Sequence, residues 1–278
     1  MRNQHVFLDT LIGLSMPVEF KPLDAVLCGL ENPERLPMVL PLAHLTTARW
    51  FLPVTAKGQL DPRRCKVFGE HLLYFSYGGI FYRTRQIQTE NASELPIAFV
   101  FDPTILGNIG HYFPFDSGAV AAGAFGQWSD WLRPIIELFR IDAEKGTAKL
   151  VKLVYYLFLD NEHYLRGQAN PQCSKLPDPF PALHEFLSCD LSHLGIDHRQ
   201  RTIECVSRTA QLLKDGLIWI GLPDTLAKDF FRVYEWTKPS VPEFFLYPYH
   251  QNFNPAHLGT VLEQEAFKIV RRYVRLPE

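Results

Sequence analysis

The 278-residue sequence lacks the features that mark several protein classes. No apolar run approaches the roughly 18 residues of a membrane-spanning helix, and the N-terminal stretch MRNQHVFLDTLIGLSM is too interrupted for a signal peptide. The five cysteines show no CxxC spacing. They therefore favour free thiols over a disulfide framework or a zinc site. We expect a cytoplasmic protein with no membrane contact and no metal centre.

The sequence also lacks an excess of charge of either sign. It carries 28 Lys and Arg against 30 Asp and Glu, for a net charge of −2. A protein that holds duplex nucleic acid through many phosphates would show a basic excess. Any contact with nucleic acid must therefore be local. Short basic clusters occur at Arg63-Arg64-Lys66, Arg83-Arg85 and Arg271-Arg272, although such clusters are more often solvated surface.

The order of apolar patterns predicts an α+β fold in one domain over residues 1–278. Strands are predicted by β-branched and aromatic runs bounded by turn residues, and helices by apolar spacing of three and four. The predicted strands are 38–47, 71–83, 95–103, 201–206 and 217–223, and the predicted helices are 128–141, 148–165 and 255–275. Residues from about 120 to 195 read as a mainly helical insertion, which separates this pattern from a regular βαβ series.

The sequence offers neither a GxGxxG turn after a strand nor a GxxxxGK[ST] loop, so a bound dinucleotide would not be held by a Rossmann turn or a P-loop. The block from His44 to Arg83 is the most informative one. Taken singly, His44 could be a satisfied structural histidine, and Tyr74 and Tyr82 could be core rings with a solvated hydroxyl.

In their order and spacing these residues resemble the donor-binding half of the ADP-ribosyltransferase fold, in its His–Tyr–Glu branch. That branch includes the poly-ADP-ribose polymerases and the bacterial DarT-like toxins. In the family a histidine strand is followed by a helix and a glycine-leucine turn, then by a phenylalanine-glycine pair and a tyrosine strand. The counterparts here are His44, Gly58-Gln59-Leu60, Phe68-Gly69, Tyr74-Phe75 and Tyr82. Leu45 departs from the glycine that many members have after the histidine.

The family also has a late glutamate on a strand that faces the cleft, and Glu204 in RTIECV is our candidate. Alternation places Thr202, Glu204 and Val206 on one face of that strand. Glu204 could otherwise be a solvated edge-strand glutamate or a partner of Arg199 or Arg201. Asp116 in FPFDSGA could contact the substrate, or could only cap a turn.

The resemblance implies a split β-sandwich that binds NAD as co-substrate without a metal. It implies that His44 bonds a ribose hydroxyl, that Tyr74 and Tyr82 enclose the nicotinamide, and that Glu204 stabilises the charge of the reacting ribose. Leu45 and Thr46 follow the histidine and would also contact NAD. Arg83 or Arg85 could pair with its diphosphate, or both could be solvated charges at the end of a strand. The catalytic candidates are therefore Glu204, His44 and Tyr74.

These assignments predict an NAD-dependent mono-ADP-ribosyltransferase that acts as an intracellular bacterial toxin or antiphage effector. By analogy with DarT-like enzymes, its acceptor would be nucleic acid, as single-stranded RNA or DNA, with protein as the other acceptor class and an antitoxin as a further partner. The alternatives are an NAD glycohydrolase and a degenerate module that binds a nucleotide without reaction.

The assignment of Tyr82 to the nicotinamide site can be tested by replacement. Tyr82→Ala should weaken NAD binding, because it removes one of two aromatic faces for the cationic ring. Calorimetric titration with NAD measures this directly, and an unchanged affinity would remove Tyr82 from the site.

Overall fold

The computed structural model describes residues 20–80, 90–143, 146–190, 198–233, 242–249 and 253–274. Tyr82, Arg83 and Arg85 lie outside the described residues, so their predicted roles stay predictions. Helices and strands alternate over the described residues in a mixed arrangement, which confirms the α+β class at this level.

The described strands are β1 Leu42–Thr47, β2 Gln59–Leu60, β3 Arg63–Arg64, β4 His71–Tyr77, β5 Pro96–Phe101, β6 His111–Phe113, β7 Ile141–Asp142, β8 Glu204–Ser207, β9 Gln211–Leu212, β10 Leu217–Pro223 and β11 Glu243–Tyr247. Most of them belong to one mixed sheet, with the order β11-β10-β5-β1-β4-β8-β6-β7 and with β3 paired to β4. The β10–β11 pair is parallel and the other pairs are antiparallel. β2 and β9 form a separate two-stranded ladder.

Helices cover both faces of this sheet. They are α1 Leu23–Gly29, α2 Ala48–Lys57, α3 Ser117–Ala121, α4 Gln127–Leu132, α5 Ala148–Phe158, α6 Asn161–Leu165, α7 Phe180–Ser188, α8 Asp224–Val233 and α9 Pro255–Val274. Short 3-10 segments span Ala92–Glu94, Pro103–Asn108, Arg133–Phe139, Pro171–Lys175 and His198–Arg201. Within the described ranges, no helix combines the length and the apolar character needed to cross a membrane.

The central strand β5 shows why the sheet is buried on both sides. All six of its residues are buried, as its unbroken apolar sequence PIAFVF requires. Ile97, Phe99 and Phe101 join the larger apolar cluster, which also contains the buried faces of α1, α5 and α7. Ala98 and Val100 join a second cluster with the apolar stripe of α9. Alternation along one strand therefore divides the core into two layers.

Two predicted helices are interrupted. The continuous helix expected over 148–165 breaks at Leu159, which has a φ of 74°, and Asp160 then caps α6 by accepting from the His163 amide at 2.8 Å. The helix expected over 128–141 ends early as well. The chain passes through the 3-10 segment Arg133–Phe139, which has a proline at its start, and then into β7. Proline has no amide hydrogen for the α-helical ladder, which accounts for the early end of α4.

Tyr164 joins the helical middle of the chain to the sheet. Its hydroxyl donates to the Tyr77 carbonyl at 2.7 Å and accepts from the Ile203 amide at 3.2 Å. The hydroxyl therefore connects the end of β4 to the residue just before β8. Because Tyr164 is 2% exposed, both bonds are shielded from water.

The turn after β4 should tolerate no side chain. Gly78 has a φ of 71°, and a Cβ there would lie 2.8 Å from Leu40 Cδ1 and 3.0 Å from Tyr164 Cε1. Gly69 has a similar φ of 73° but open space around it. We expect Gly69→Ala to cost about 1–2 kcal/mol of unfolding free energy from backbone strain alone. Gly78→Ala should cost a further ~1–3 kcal/mol from overpacking.

Urea denaturation of the two variants measures the difference. Equal losses would mean that Leu40 and Tyr164 move aside at no cost, contrary to the packing described above.

Candidate functional site

The candidate site lies where β1 and β4 separate. β1 pairs with β5 at all six of its positions, from Leu42 to Thr47. It pairs with β4 at only two, Leu42 with Tyr77 and Ala43 with Ser76. From His44 onward, β1 forms no further ladder pair with β4. A gap therefore opens within the sheet, bounded by strands on both sides.

His44 connects the two sides of this gap. Its Nδ1 lies 2.8 Å from the carbonyl oxygen of Tyr74. Because a carbonyl can only accept, Nδ1 carries the hydrogen and Nε2 is left as an acceptor. Burial lowers the pKa of His44 to about 4 and the Arg63 charge lowers it too, although the bond to Tyr74 opposes them. His44 is therefore neutral near pH 7.

A cavity of about 330 Å³ occupies the gap. His44, Tyr74 and Glu204 all line it, although the sequence separates them widely. Their strands β1, β4 and β8 are consecutive in the sheet. The rest of the wall comes from Ala43, Leu45, Leu72, Leu73, Phe75, Ser76, Thr202, from the segment Leu60, Asp61, Arg63, Arg64 and Cys65, and from Asp116 and Gly118 at the start of α3.

Tyr74 is fixed in the wall by its hydroxyl, which donates to Cys65 Sγ at 2.9 Å. Burial is the main reason why the pKa of Tyr74 is raised, and the Cys65 bond and the Glu204 charge act in the same direction. The hydroxyl therefore stays protonated at neutral pH. Tyr74 supplies a half-buried aromatic ring beside the cavity instead of an acid or base.

Glu204 is a buried carboxyl group in the wall of the cavity. It is 8% exposed and accepts from Ser117 Oγ at 2.6 Å through Oε1. Burial and the nearby Asp116 charge raise its pKa well above 4.5, while the Ser117 bond favours the charged form. The alternative of a solvated edge-strand glutamate is wrong, since β8 lies between β4 and β6 and Glu204 is buried.

Asp116 caps a turn, which is one of the two roles that the sequence left open for it, and its contact with a substrate stays a prediction. It caps α3 by accepting from the Ala119 amide at 2.7 Å, and it also lines the cavity. The cap orients the first turn of α3, whose first residue is Ser117, the partner of Glu204. One turn therefore places two groups that act on the glutamate, a hydrogen-bond donor and a negative charge.

The other predicted contacts divide into two groups. Leu45 lines the cavity next to His44, whereas Thr46 is buried on β1 and is not among the residues that line the cavity. The sequence does not predict that Arg63 and Cys65 line the cavity, nor that Ser117 donates to Glu204 behind the wall. Nothing in their local sequence indicates these positions, because they follow from how β3 and α3 pack beside β4 and β8.

The five cysteines are free thiols. Across the described part of the chain, no group of three or more His, Cys, Asp or Glu side chains could hold a metal ion. No protein-family model, curated protein or solved structure matches the chain. The geometry of the cavity is therefore the main guide to its chemistry.

The burial of Glu204 predicts a pH-dependent effect of Glu204→Gln on stability. Because the pKa of Glu204 is raised in the folded state, the wild-type protein loses stability as pH rises from about 4.5 through that raised value. The glutamine variant has no such loss. The unfolding free energy of the variant minus that of the wild type should therefore rise with pH. The total rise is about 1.4 kcal/mol for each unit by which folding raises the pKa of Glu204.

Denaturant unfolding from about pH 4.5 to about pH 8.5 measures this difference. A difference that does not change with pH would mean that folding does not desolvate the Glu204 carboxylate.

Proposed function

We propose that the cavity binds NAD and that the protein transfers ADP-ribose from it, as an ADP-ribosyltransferase of the His–Tyr–Glu branch. The observation that carries this proposal is the convergence of His44, Tyr74 and Glu204 on one cavity. The sequence resemblance selects these three residues without knowledge of the sheet. Their strands are nevertheless adjacent, and they meet where two strands part. The split β-sandwich that the resemblance implies belongs to this proposal, whereas most of the described strands form one mixed sheet that parts between β1 and β4.

Glu204 provides the chemistry that transfer requires. Breaking the nicotinamide–ribose bond builds positive charge on the ribose, and a buried carboxylate stabilises that charge more effectively than an exposed one. The raised pKa means that the empty site stabilises the carboxylate less well than water does. A cationic nicotinamide nearby would favour the carboxylate, as the Ser117 hydrogen bond does. Binding of NAD would therefore favour the charged form of the group that the reaction uses.

His44 and Tyr74 would position the dinucleotide. The neutral imidazole has an acceptor at Nε2, which suits a ribose hydroxyl that donates. The Tyr74 ring is held by its bond to Cys65 and offers an aromatic face to the cationic nicotinamide. Tyr82 would supply the second face. Leu45 would contact the nicotinamide amide through its backbone.

The acceptor remains a separate part of the proposal. We propose nucleic acid in single-stranded form, which can be held by a few aromatic and basic side chains at a net charge of −2. Asp116 lies in the same wall as Glu204 and would contact the acceptor. Action as an intracellular toxin or antiphage effector, with an antitoxin partner, belongs to this proposal as well.

An NAD glycohydrolase is the second candidate, and one observation favours it. Three carboxyl groups line the cavity, and two of them, those of Glu204 and Asp116, are close enough for the Asp116 charge to act on Glu204, while Asp61 is paired with Lys57. Enzymes that hydrolyse glycosidic bonds use such a pair, with one group at the sugar and the other at the water. Both functions would share the donor site and differ in the products.

Replacement of Glu204 tests the proposed chemistry. Glu204→Gln keeps the size of the side chain and an oxygen that can accept from Ser117, but removes the charge. We expect nicotinamide release from NAD to fall by about 10²–10³-fold, while NAD affinity changes little. Glu34→Gln is the matched control, because Glu34 is exposed and lies outside the cavity.

Nicotinamide release, NAD titration calorimetry and thermal unfolding are measured together on the three proteins. Release by the Glu204 variant at the wild-type rate would show that the carboxylate is not used. A wild-type protein that neither binds NAD nor releases nicotinamide would contradict the proposed function.

The products separate the candidates. Wild-type protein is incubated with NAD labelled in its adenylate part and with separate pools of RNA, DNA and protein. Label that enters one pool identifies a transferase and its acceptor class. Free labelled ADP-ribose, with every pool unlabelled, identifies the glycohydrolase.

A further inference from the structure

Arg63 is held at the cavity wall by the ring of Trp50. Its guanidinium carbon lies 3.9 Å from the centre of the indole, which is within the range of a cation–π interaction. Trp50 belongs to α2 and is 40% exposed, while Arg63 belongs to β3 and lines the cavity. Packing over a ring uses the face of the guanidinium. Its N–H groups, which point outward along the edge, stay available to a ligand.

No carboxylate of the described residues forms an ion pair with Arg63. The neighbouring Asp61 already accepts from Lys57 Nζ and from Gln59 Nε2, both at 2.6 Å. Partial burial of the guanidinium lowers the pKa of Arg63 and the Asp61 charge raises it, and an arginine stays charged at neutral pH. The Arg63 charge also acts on His44, whose pKa it helps to lower. A cation that feels the Asp61 charge but forms no ion pair with it therefore lies within electrostatic reach of His44.

A cation with free donors in a cavity wall favours an anionic ligand group. Within the described part of the chain, the basic side chains that line the cavity are Arg63 and Arg64, both on β3. Asp61 lines the same part of the wall, where its carboxylate is paired with Lys57. Glu204 and Asp116 make another part of the wall acidic. NAD has the matching division of charge, with a cationic nicotinamide and a diphosphate that carries two negative charges. The planar guanidinium edge suits phosphate oxygens, to which it can donate two bonds.

We propose that Arg63, positioned by Trp50, binds the diphosphate of NAD and so makes the site selective for the dinucleotide. This inference rests on the proposed function. It differs from the expectation drawn from the sequence, which gives the diphosphate to Arg83 or Arg85. Selectivity would follow because a nicotinamide riboside, which has no phosphate, cannot use the contact.

The test compares two ligands on four proteins. The proteins are the wild type and the Arg63→Ala, Arg83→Ala and Arg49→Ala variants. Arg49 is the matched control, because it adjoins Trp50 on α2, is exposed and lies outside the cavity wall. NAD and nicotinamide riboside are each titrated by calorimetry at low and high salt, and thermal unfolding checks that each variant is folded.

Arg63→Ala should weaken NAD binding by roughly ten- to a hundredfold, as expected for loss of a charged hydrogen-bonded contact. It should leave nicotinamide riboside binding unchanged. NAD affinity of the wild type should fall as salt is added, and Arg63→Ala should show a weaker salt dependence. Arg49→Ala should behave like the wild type.

Two outcomes would overturn the role of Arg63 while leaving the proposed function intact. One is an equal loss of affinity for both ligands, which indicates a structural role. The other is a selective loss of NAD affinity in Arg83→Ala with none in Arg63→Ala. Failure of the wild type to bind either ligand is a different result, since it overturns NAD binding itself and this inference with it.

Discussion

The early separation of β1 from β4 is the constraint on which the rest of the site depends. Two strands that stayed paired would fill the space between them with backbone hydrogen bonds and leave no room for a ligand. Here the ladder stops after Ala43 and Ser76, and a side chain forms the next hydrogen bond between the two strands. The ring of His44 satisfies the Tyr74 carbonyl that the ladder leaves unpaired. A buried carbonyl without a partner would be costly, so the same bond stabilises the gap and fixes the tautomer of the histidine.

A second consequence concerns the charge of Glu204. Burial makes its carboxylate costly, and the Asp116 charge adds to that cost. The hydrogen bond from Ser117 favours the carboxylate and offsets only part of these two costs. A residue selected for stability alone would be apolar at this position of β8, between two buried strands. A buried residue that costs stability in an otherwise consistent fold is typical of functional sites. The position of Glu204 therefore favours a functional interpretation of the cavity, and its raised pKa ties that function to ligand binding.

The sequence predicts well what depends on short-range pattern. The unbroken apolar run of β5 and the stripe of α9 identify central and covering elements, and the order of strands and helices gives the α+β class. It predicts poorly what depends on distant contacts. The break at Leu159 follows from capping by Asp160, which an apolar period of 3.6 does not reveal. The resemblance identifies His44, Tyr74 and Glu204. The resemblance does not identify Arg63 and Cys65 in the wall, or Ser117 as the partner of Glu204, because their positions depend on which strands and helices become neighbours.

The distribution of charge around the cavity links these points. Glu204 and Asp116 make one part of the wall acidic. Another part holds Arg63 and Arg64 together with Asp61, whose carboxylate is paired with Lys57. A protonated His44 would add a positive charge to the wall and repel the cationic nicotinamide of the proposed ligand. Burial is the main reason why the pKa of His44 is lowered, and the Arg63 charge adds to this effect. Under the proposal, the residue that binds the diphosphate therefore also helps to keep the histidine in the form that accepts from a ribose hydroxyl. The charges of the wall act on one another, and their arrangement is the one that we expect for the proposed ligand, which is cationic at one end and anionic in its middle.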